Sequence, residues 1–344
     1  MLVTLRPVSM LRSTLLSISA AALLAAVAVA SPAAHAIAPR VRPSSGAPWL
    51  IALRGSDDNL WTVSTGSGVT ALRLGLRPGT NPSVAALNGG DGVAYAGSDT
   101  SLHTYDARTG TSASLHLGMM AGTSPSYARL VGTDSAAIAI QANTGVLWTW
   151  VTPNVAQNLH LAMKAGTSPS IAGLAAGGYE IAYQGSDGSL HVYSSITNVA
   201  SSLHLGMRPS TSPSITALPA GGFAVAMQSA DKDLWTWTSG VGAQDLSTAL
   251  RAGTSPSIAV TATGYEVAAI GSSGALLLVT DSGAKNTHIT PYAGSSPSIA
   301  GLDDATFEIA YDAQDGVLHT YDATNGALDR HVGVSPGTAP SLAP

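Results

Sequence analysis

Short segments of alternating apolar and polar residues run along most of the chain, separated by turn residues. In the stretch 179–193, one alternating segment leads into Asp187-Gly188 and a second leads away from it. This pattern is typical of a β-hairpin. Asp-Gly predicts a two-residue type I′ turn, because both residues tolerate the positive φ that such a turn needs.

The hairpin recurs with a period of about 43 residues, which indicates a repeat architecture. Each copy has a short Ser/Ala/Ile segment before it and another strand-like segment after it, so each period carries four short strands. The predicted turns are Asp57-Asp58, Asp99-Thr100, Thr144-Gly145, Asp187-Gly188, Asp231-Lys232, Ser273-Gly274 and Asp315-Gly316. A proline marks the same point of each period: Pro82, Pro125, Pro169, Pro213, Pro256, Pro297 and Pro340.

Seven copies of four antiparallel strands predict an all-β fold, a seven-bladed β-propeller. The chain enters the repeats at Trp49 with the second strand of a blade, and it finishes at 340–343 with a first strand. We therefore expect the C-terminal strand to pair with the N-terminal blade and close the ring. Closure of this kind leaves only short, protected strand edges.

Residues 1–36 are typical of a secretory signal peptide. They contain two early arginines, an apolar stretch and the small-x-small cleavage motif Ala34-His35-Ala36. An N-terminal membrane anchor is the alternative. We predict a short disordered lead-in at 37–48, the propeller at 49–344, and secretion to the extracellular space.

Composition agrees with an exported β-protein and narrows the range of partners. Charged residues make up 10% of the chain, the formal net charge is −5, and there are no cysteines. A closed ring of blades buries enough apolar surface to fold without disulfides. Without a basic stripe, nucleic acid is not an expected partner, and we expect no membrane insertion.

Candidate binding residues form a column along the hairpins. With two-residue turns, the side chains paired on one face are Arg54 with Trp61, Ala96 with His103, Gln141 with Trp148, Gln184 with His191, Gln228 with Trp235, Ile270 with Leu277, and Asp312 with His319. A ring that stacks on a sugar, beside a group that binds hydroxyls, is a minimal carbohydrate site. The predicted ligand-binding residues are Trp61, Arg54, Trp148, Gln141, Trp235, Gln228, His191 and Gln184.

The same column has a structural interpretation. A large side chain repeated once per blade also fills the gap between neighbouring blades. Trp150 and Trp237 share this face and this alternative. Tyr183 and Tyr311 are expected on the opposite face, as packing residues.

The histidines do not predict a metal site. One column contains His103, His191 and His319, and a second, on the predicted outermost strand, contains His116, His160, His204, His288 and His331, with Arg73 and Ser247 in the same position of other repeats. Members of a column lie in different blades, too far apart to share an ion. We expect no metal and no cofactor.

An enzyme is not expected either. Propeller glycosidases need carboxylates that converge on the central channel. The predicted innermost segments, such as 170–174, contain none. The pair Asp303-Asp304 lies in a predicted loop, and no nucleophile elbow, zinc-protease helix or phosphate loop is present.

Three motifs carry a family resemblance: Gly-Thr-Ser-Pro-Ser-Ile-Ala at 166–172, Gly-Gly-Tyr-Glu-Ile-Ala-Tyr-Gln at 177–184, and Asn-Thr-Gly-Val-Leu-Trp at 143–148. They resemble the repeats of the bacterial PLL-type propeller lectins. The resemblance implies seven blades and non-catalytic binding of fucose-like or O-methylated sugars in clefts between blades. We therefore expect a secreted, multivalent lectin for surface glycans. A scaffold or protein-interaction propeller with no sugar site is the alternative.

Overall fold

A computed structural model describes residues 48–66, 68–261, 264–302 and 306–344. The predicted signal peptide (1–36), the lead-in apart from its last residue (37–47), and the pair Asp303-Asp304 lie outside the described residues. No helix in the described ranges is long and apolar enough to span a membrane.

The described chain forms strands only, joined by turns and loops. In chain order they are β1 (Leu50–Arg54), β2 (Asn59–Ser64), β3 (Gly68–Gly75), β4 (Ser83–Leu87), β5 (Gly90–Ala96), β6 (Ser101–Asp106), β7 (Thr111–Gly118), β8 (Ser126–Arg129), β9 (Ala136–Gln141), β10 (Val146–Val151), β11 (Val155–Ala162), β12 (Ser170–Gly173), β13 (Tyr179–Gln184), β14 (Ser189–Ser194), β15 (Val199–Gly206), β16 (Ser214–Ala217), β17 (Phe223–Gln228), β18 (Asp233–Thr238), β19 (Gly242–Ala249), β20 (Ser257–Thr261), β21 (Gly264–Ile270), β22 (Leu276–Thr280), β23 (Gly283–Asn286), β24 (Ser298–Gly301), β25 (Phe307–Asp312), β26 (Val317–Asp322), β27 (Gly326–Gly333) and β28 (Ser341–Ala343).

These strands form seven four-stranded antiparallel sheets, which confirms the predicted seven-bladed propeller. From the axis outwards, blade 1 has the order β28, β1, β2, β3, and blades 2 to 7 take β4–β7, β8–β11, β12–β15, β16–β19, β20–β23 and β24–β27. The C-terminal strand β28 pairs with β1, with Ile51 opposite Leu342. The predicted closure of the ring is therefore confirmed.

The core lies between blades and not within them. Leu147 and Met163 of blade 3, for example, pack against Ile181 and Tyr183 of blade 4. Because both faces of each blade are covered in this way, five of the second strands are buried along their length, as in all six residues of β13, and β5 and β21 are buried except at their first residues. Removal of this apolar surface from water is the main contribution that holds the ring together.

The Ser-Pro-Ser motif joins the blades at the axis. Ser126 Oγ of β8 accepts the backbone N–H of Ile171 in β12 at 3.0 Å. The equivalent serine does the same for its neighbour all round the ring: Ser83, Ser126, Ser170, Ser214, Ser257, Ser298 and Ser341. The seven innermost strands are thus linked by side-chain hydrogen bonds.

The first serine of the motif forms a second ring that runs in the opposite direction. Here the backbone N–H of Ser124 donates to Ser168 Oγ of the following blade at 2.9 Å. Asn81 accepts the N–H of Ala339 at 2.8 Å, and Ala339 itself has no side-chain oxygen to continue the ring. The motif that organises the sequence therefore has a structural role at the axis.

The hairpin turn differs from the prediction. The Gly185 N–H donates to the Ser189 carbonyl and the Gly188 N–H donates to the Gly185 carbonyl, both at 2.9 Å. Three residues, 186–188, therefore form the loop, and of these Gly188 has a positive φ of 82°. A type I′ turn needs two such residues in succession. The two-residue turn was wrong, and every pairing predicted from it is displaced by one residue.

Candidate functional site

The ring column lies opposite large apolar or aromatic residues. The observed pairs are Leu53 with Trp61, Tyr95 with His103, Ile140 with Trp148, Tyr183 with His191, Met227 with Trp235, Ala269 with Leu277, and Tyr311 with His319. Tyr183 and Tyr311 were expected on the opposite face. Instead they share the face of His191 and His319, with ring centroids 5.4 and 5.8 Å apart.

The predicted polar partners lie on the other face of the hairpin. The pairings of Arg54 with Trp61, Gln141 with Trp148, Gln184 with His191, and Gln228 with Trp235 are wrong. Gln141 pairs with Leu147, which packs against the following blade, whereas Trp148 faces the preceding one. A shift of one residue in register moves a side chain to the opposite face.

Arg54 and the three glutamines are sealed on that face and hydrogen-bonded within the fold. The three glutamines are 0% exposed and Arg54 is 6% exposed. The Gln184 amide donates to the carbonyls of Gly188 and Met207, each at 3.2 Å. The guanidinium of Arg54 donates to Ser335 Oγ at 2.8 Å and pairs with Asp58. These side chains therefore hold the loops that connect the blades.

The ring column forms one wall of each cleft between blades. Trp148 packs against the apolar cluster that also includes Leu115 and Leu117 of the outermost strand of blade 2, and Trp61 and Trp235 pack against equivalent clusters. Trp61, Trp148 and Trp235 are partly exposed. The side chains of His103 and His191 are 19% and 20% exposed. Each ring thus packs against the preceding blade and keeps an open edge.

The two other tryptophans of this face behave differently. Trp150 is 7% exposed, and its Nε1 donates to Asn154 at 3.2 Å, so it is a packing residue. Trp237 is partly exposed and stacks on Phe223 with ring centroids 5.2 Å apart. Trp150 therefore presents no open edge, whereas Trp237 is partly exposed like the Trp61 column.

An aspartate of the hairpin turn anchors several rings of the column. Trp61 Nε1 donates to Asp57 at 2.9 Å. His103 bonds Asp99 at 2.9 Å, and equivalent bonds join His191 to Asp187 at 3.1 Å and His319 to Asp315 at 3.3 Å. The backbone N–H of Ser189 lowers the pKa of Asp187. Partial burial opposes this effect and His191 adds to it, so that this pKa lies below its usual value.

In blades 3 and 5 the ring lacks this anchor. Trp148 Nε1 and Trp235 Nε1 are buried and have no hydrogen-bond partner. Thr144 occupies the aspartate position in blade 3, and in blade 5 Asp231 is bonded by Ser229 instead. The two clefts therefore hold an indole whose orientation is set by packing alone.

A glycine lies under the ring in three of the four anchored blades; in blade 7, Ala313 takes its place and the bond of His319 to Asp315 is the longest of the four, 3.3 Å. A Cβ added to Gly55 would lie 2.4 Å from Trp61 Cδ1, and one added to Gly97 or Gly185 would lie 2.6 Å from the histidine ring. The rings of these blades thus rest directly on the backbone, within reach of the aspartate. Blades 3 and 5 carry Ala142 and Ser229 at this position, whose side chains occupy that space.

The second histidine column marks a β-bulge on the outer rim. All seven residues of this position are exposed and have φ between 48° and 61°: Arg73, His116, His160, His204, Ser247, His288 and His331. In six of them the backbone N–H is accepted by the side chain two residues earlier, as in His160 to Asn158 at 2.8 Å. The recurrent Ser, Asn or Asp at that spacing was a signal for the bulge that our sequence analysis missed. Among the described residues no group of three metal-ligating side chains could hold an ion.

No protein-family model matches the chain. No curated protein matches it in sequence. Among solved structures, it is similar to the SapL1 lectin in complex with α-methyl fucoside, with a TM-score of 0.54, 12% identity, and coverage of 83% of this chain and 96% of that one. The fucose-specific lectin of Aleuria aurantia matches with a TM-score of 0.54 and 11% identity, and the match covers 74% of this chain and 95% of that one. AofleA of Arthrobotrys oligospora matches with a TM-score of 0.51 and 13% identity, and the match covers 76% of this chain and 89% of that one.

At these identities the likeness shows the fold alone. The Aleuria aurantia lectin is a six-bladed propeller, whereas this chain has seven blades. Rings of six and seven cannot superpose around the whole circle, because each blade of the smaller ring turns through a larger angle. Membership of the PLL-type family stays a prediction.

Proposed function

We propose that this propeller is a secreted, non-catalytic lectin that binds fucose-like or O-methylated sugars in the clefts between its blades. The observation that carries the proposal is a partly exposed ring at the same place in six clefts: Trp61, His103, Trp148, His191, Trp235 and His319. The fucose-specific lectin of similar fold and the PLL-type resemblance of the repeats add support. The signal-peptide pattern at 1–36 supports secretion.

In this proposal the hydroxyl-binding group is the turn aspartate and not the sealed glutamine. The side chains of Asp99 and Asp187 are each 54% exposed beside their rings. A carboxylate has lone pairs left after it accepts one ring N–H, so it can also accept a sugar hydroxyl. The apolar face of the sugar would stack on the ring, with the aliphatic residues of the preceding blade beneath. Trp61 with Asp57 is the most complete cleft of this kind.

Each such site offers one ring and few polar groups, so its own affinity is low. Several sites on one rigid ring raise the avidity for a surface dense in glycans, because the second contact is intramolecular. The absence of Asp and Glu from all seven described innermost strands supports a non-catalytic role.

A scaffold without a sugar site is the second candidate. The observation in its favour is that every tryptophan of the column also belongs to an apolar cluster between blades. In that case the rings would matter for stability alone.

The test is a glycan array with the chain from residue 37 to 344, including fucosylated, galactosylated and O-methylated sugars. We expect binding that a free monosaccharide competes away. Trp61→Ala should lower the affinity roughly tenfold, about 1.4 kcal/mol, with the fold retained by circular dichroism. Leu277→Ala, in the cleft without a ring, is the matched control and should bind as before. A blank array from a folded ring would favour the scaffold, and unchanged binding by Trp61→Ala would show that the ring column is not the sugar site.

A further inference from the structure

Three blades carry a glutamate at the same position of the second strand, and the groups that surround its carboxylate differ from blade to blade. The residues are Glu180, Glu266 and Glu308, all on the face that covers the following blade. In blade 7, Glu308 accepts a hydrogen bond from the Arg330 guanidinium at 3.2 Å. That guanidinium also lies 4.9 Å from the centroid of the Trp49 ring in blade 1. Glu308 therefore has a cationic partner held against an aromatic face.

In blade 4 the same space is filled by an apolar side chain. Leu203 stands where blade 7 has Arg330, immediately before the bulge residue of the outermost strand. It packs into the cluster that joins blades 4 and 5. Glu180 is 7% exposed and bonds the Ser194 hydroxyl. In blade 4, Leu203 thus fills the space, and the Glu180 carboxylate bonds a neutral hydroxyl.

Blade 6 leaves the space open. Thr287 takes the place of Arg330, and its hydroxyl donates to the Leu276 carbonyl at 2.8 Å, so the side chain is turned back to the backbone. The outermost strand β23 has four residues where every other blade has eight. A cavity of about 380 Å³ results, lined by Glu266, Leu278, Thr280, Ser282, Gly283, Ala284 and Lys285.

One oxygen of the carboxylate in this cavity lacks a hydrogen-bond partner. Glu266 Oε2 is buried and forms no hydrogen bond. A buried acceptor without a donor is costly, and the two sister glutamates both have one. Phe307, which corresponds to Trp49 by its place in the repeat, belongs to the same apolar cluster as Leu278. Blade 6 therefore has the carboxylate and the aromatic ring that flank the guanidinium in blade 7, whereas Leu278 replaces Thr320, whose hydroxyl accepts from Arg330 Nε at 2.9 Å.

We propose that the blade 6 cavity binds the guanidinium group of a ligand, in the place that Arg330 fills in blade 7. A guanidinium presents planar N–H donors that match a carboxylate and tolerates an apolar, partly aromatic surrounding better than an ammonium does. The site differs from the sugar clefts in its place and its chemistry, since blade 6 carries Leu277 in the ring column. It would be a single site on the ring and not a repeated one.

The charges at the cavity agree with such a ligand. Burial raises the pKa of Glu266, and the Lys285 ammonium opposes this rise. Lys285 is an exposed residue of β23. It can bind an anionic group at the other end of the ligand, as the α-carboxylate of free arginine provides. The cavity is also larger than a guanidinium needs, which leaves room for an attached chain.

The experiment is isothermal titration of the full ring with L-arginine and with L-citrulline, in which a neutral urea replaces the guanidinium. We expect one site for arginine and at least tenfold weaker binding of citrulline. Glu266→Gln should lower the arginine affinity at least tenfold, and Glu180→Gln, the matched control, should leave it unchanged. An arginine residue capped at both ends forms a third arm: tighter binding of free arginine indicates a small molecule, and equal binding indicates the side chain of a peptide. Both results support the site.

Filling the cavity tests the location. Thr287→Leu gives blade 6 the residue of the first five blades: Leu72, Leu115, Leu159, Leu203 and Leu246. Thr287→Arg gives it the residue of blade 7. Both should abolish arginine binding while the thermal midpoint stays at or above that of the parent. Arginine binding that survives in Thr287→Arg, citrulline binding as tight as arginine, or no arginine binding at all would overturn the proposal. Glycan binding should be unchanged in all these variants.

Discussion

The two faces of the central hairpin differ in what they do with polar groups. On one face Gln184 is sealed and donates to two loop carbonyls. On the other face His191, one residue away in register, is partly exposed and bonds an exposed turn aspartate. The same two strands thus carry a structural hydrogen-bond network on one side and an accessible ring on the other.

The comparison shows where the repeats differ in sequence while the blade keeps its structure. The sealed position varies, with Arg54, Ala96, Ile270 and Asp312 in place of the glutamine, although a buried carbonyl that loses its donor is costly. On the open face the residue of the ring column is Trp, His or Leu, because a partly exposed side chain can change shape without leaving a cavity or a clash. Variation within the ring column therefore costs the fold little.

The largest expected effect concerns Asp312, the carboxylate in the sealed face. Both its oxygens lack hydrogen-bond partners. Burial, with a contribution from the charge of Asp315, raises its pKa from 3.8 to about 7. The folded state keeps a proton that the unfolded chain loses, so stability should fall as the pH rises from about 4 to about 7, by up to about 1.4 kcal/mol per pH unit, and level off above.

Asp312→Gln restores the donor that Gln184 and Gln228 supply in their blades. The variant should lack this pH dependence and be more stable than the parent above about pH 7, as measured by urea unfolding across the range. The converse substitution, Gln184→Asp, should introduce the same slope in blade 4. Parallel profiles of parent and Asp312→Gln would contradict the assignment. The raised pKa values of the three glutamates contribute to both proteins and cancel in the difference.

The next effect concerns the open face, where Gly55→Ala should displace a ring. The added Cβ would lie 2.4 Å from Trp61 Cδ1 and 2.8 Å from Asp57 Oδ1. Overpacking of this kind costs about 1 to 3 kcal/mol, measured as the free energy of unfolding. Gly66→Ala is the control, because nothing lies within 4 Å of its added Cβ. Equal costs for the two variants would show that the ring does not rest on Gly55.

The smallest effect is a coupling within blade 3. Ala142→Gly and Thr144→Asp together give Trp148 the surroundings of Trp61, so that its N–H can reach a carboxylate. In a double-mutant cycle the two substitutions should couple favourably by about 1 kcal/mol, the value of one hydrogen bond. Additive changes in unfolding free energy would mean that Trp148 keeps its position whatever lies beneath it.

The number of blades and the closure of the ring could be predicted from the sequence, because they depend on features repeated in every copy. Pro169 and its six equivalents set the period, and the alternation on either side of Asp187 marked the strands. Register could not be predicted. An Asp-Gly pair fits a two-residue turn and the last two positions of a three-residue loop equally well. The loop seen here also involves a bridge between Gly185 and Met163 of the preceding blade, which local sequence does not specify.

The candidate sites were predictable in part for the same reason. The rings Trp61, Trp148 and Trp235 line clefts between blades, where the repeat pattern placed them. Their polar neighbours were misplaced with the register. The open carboxylate of Glu266 was not foreseen, because it depends on what a different strand supplies: Arg330 in one blade and Thr287 in another.

The serine hydrogen bonds that link the innermost strands at the axis have a consequence for how rings of this type arise by gene duplication. Each repeat brings both halves of the joint, since Ser170 accepts from the repeat that follows it and Ile171 donates to the one before. A repeat that is gained or lost therefore meets matching partners on either side. The pattern of serine hydrogen bonds is therefore the same whatever the number of copies, and it does not by itself fix that number at seven.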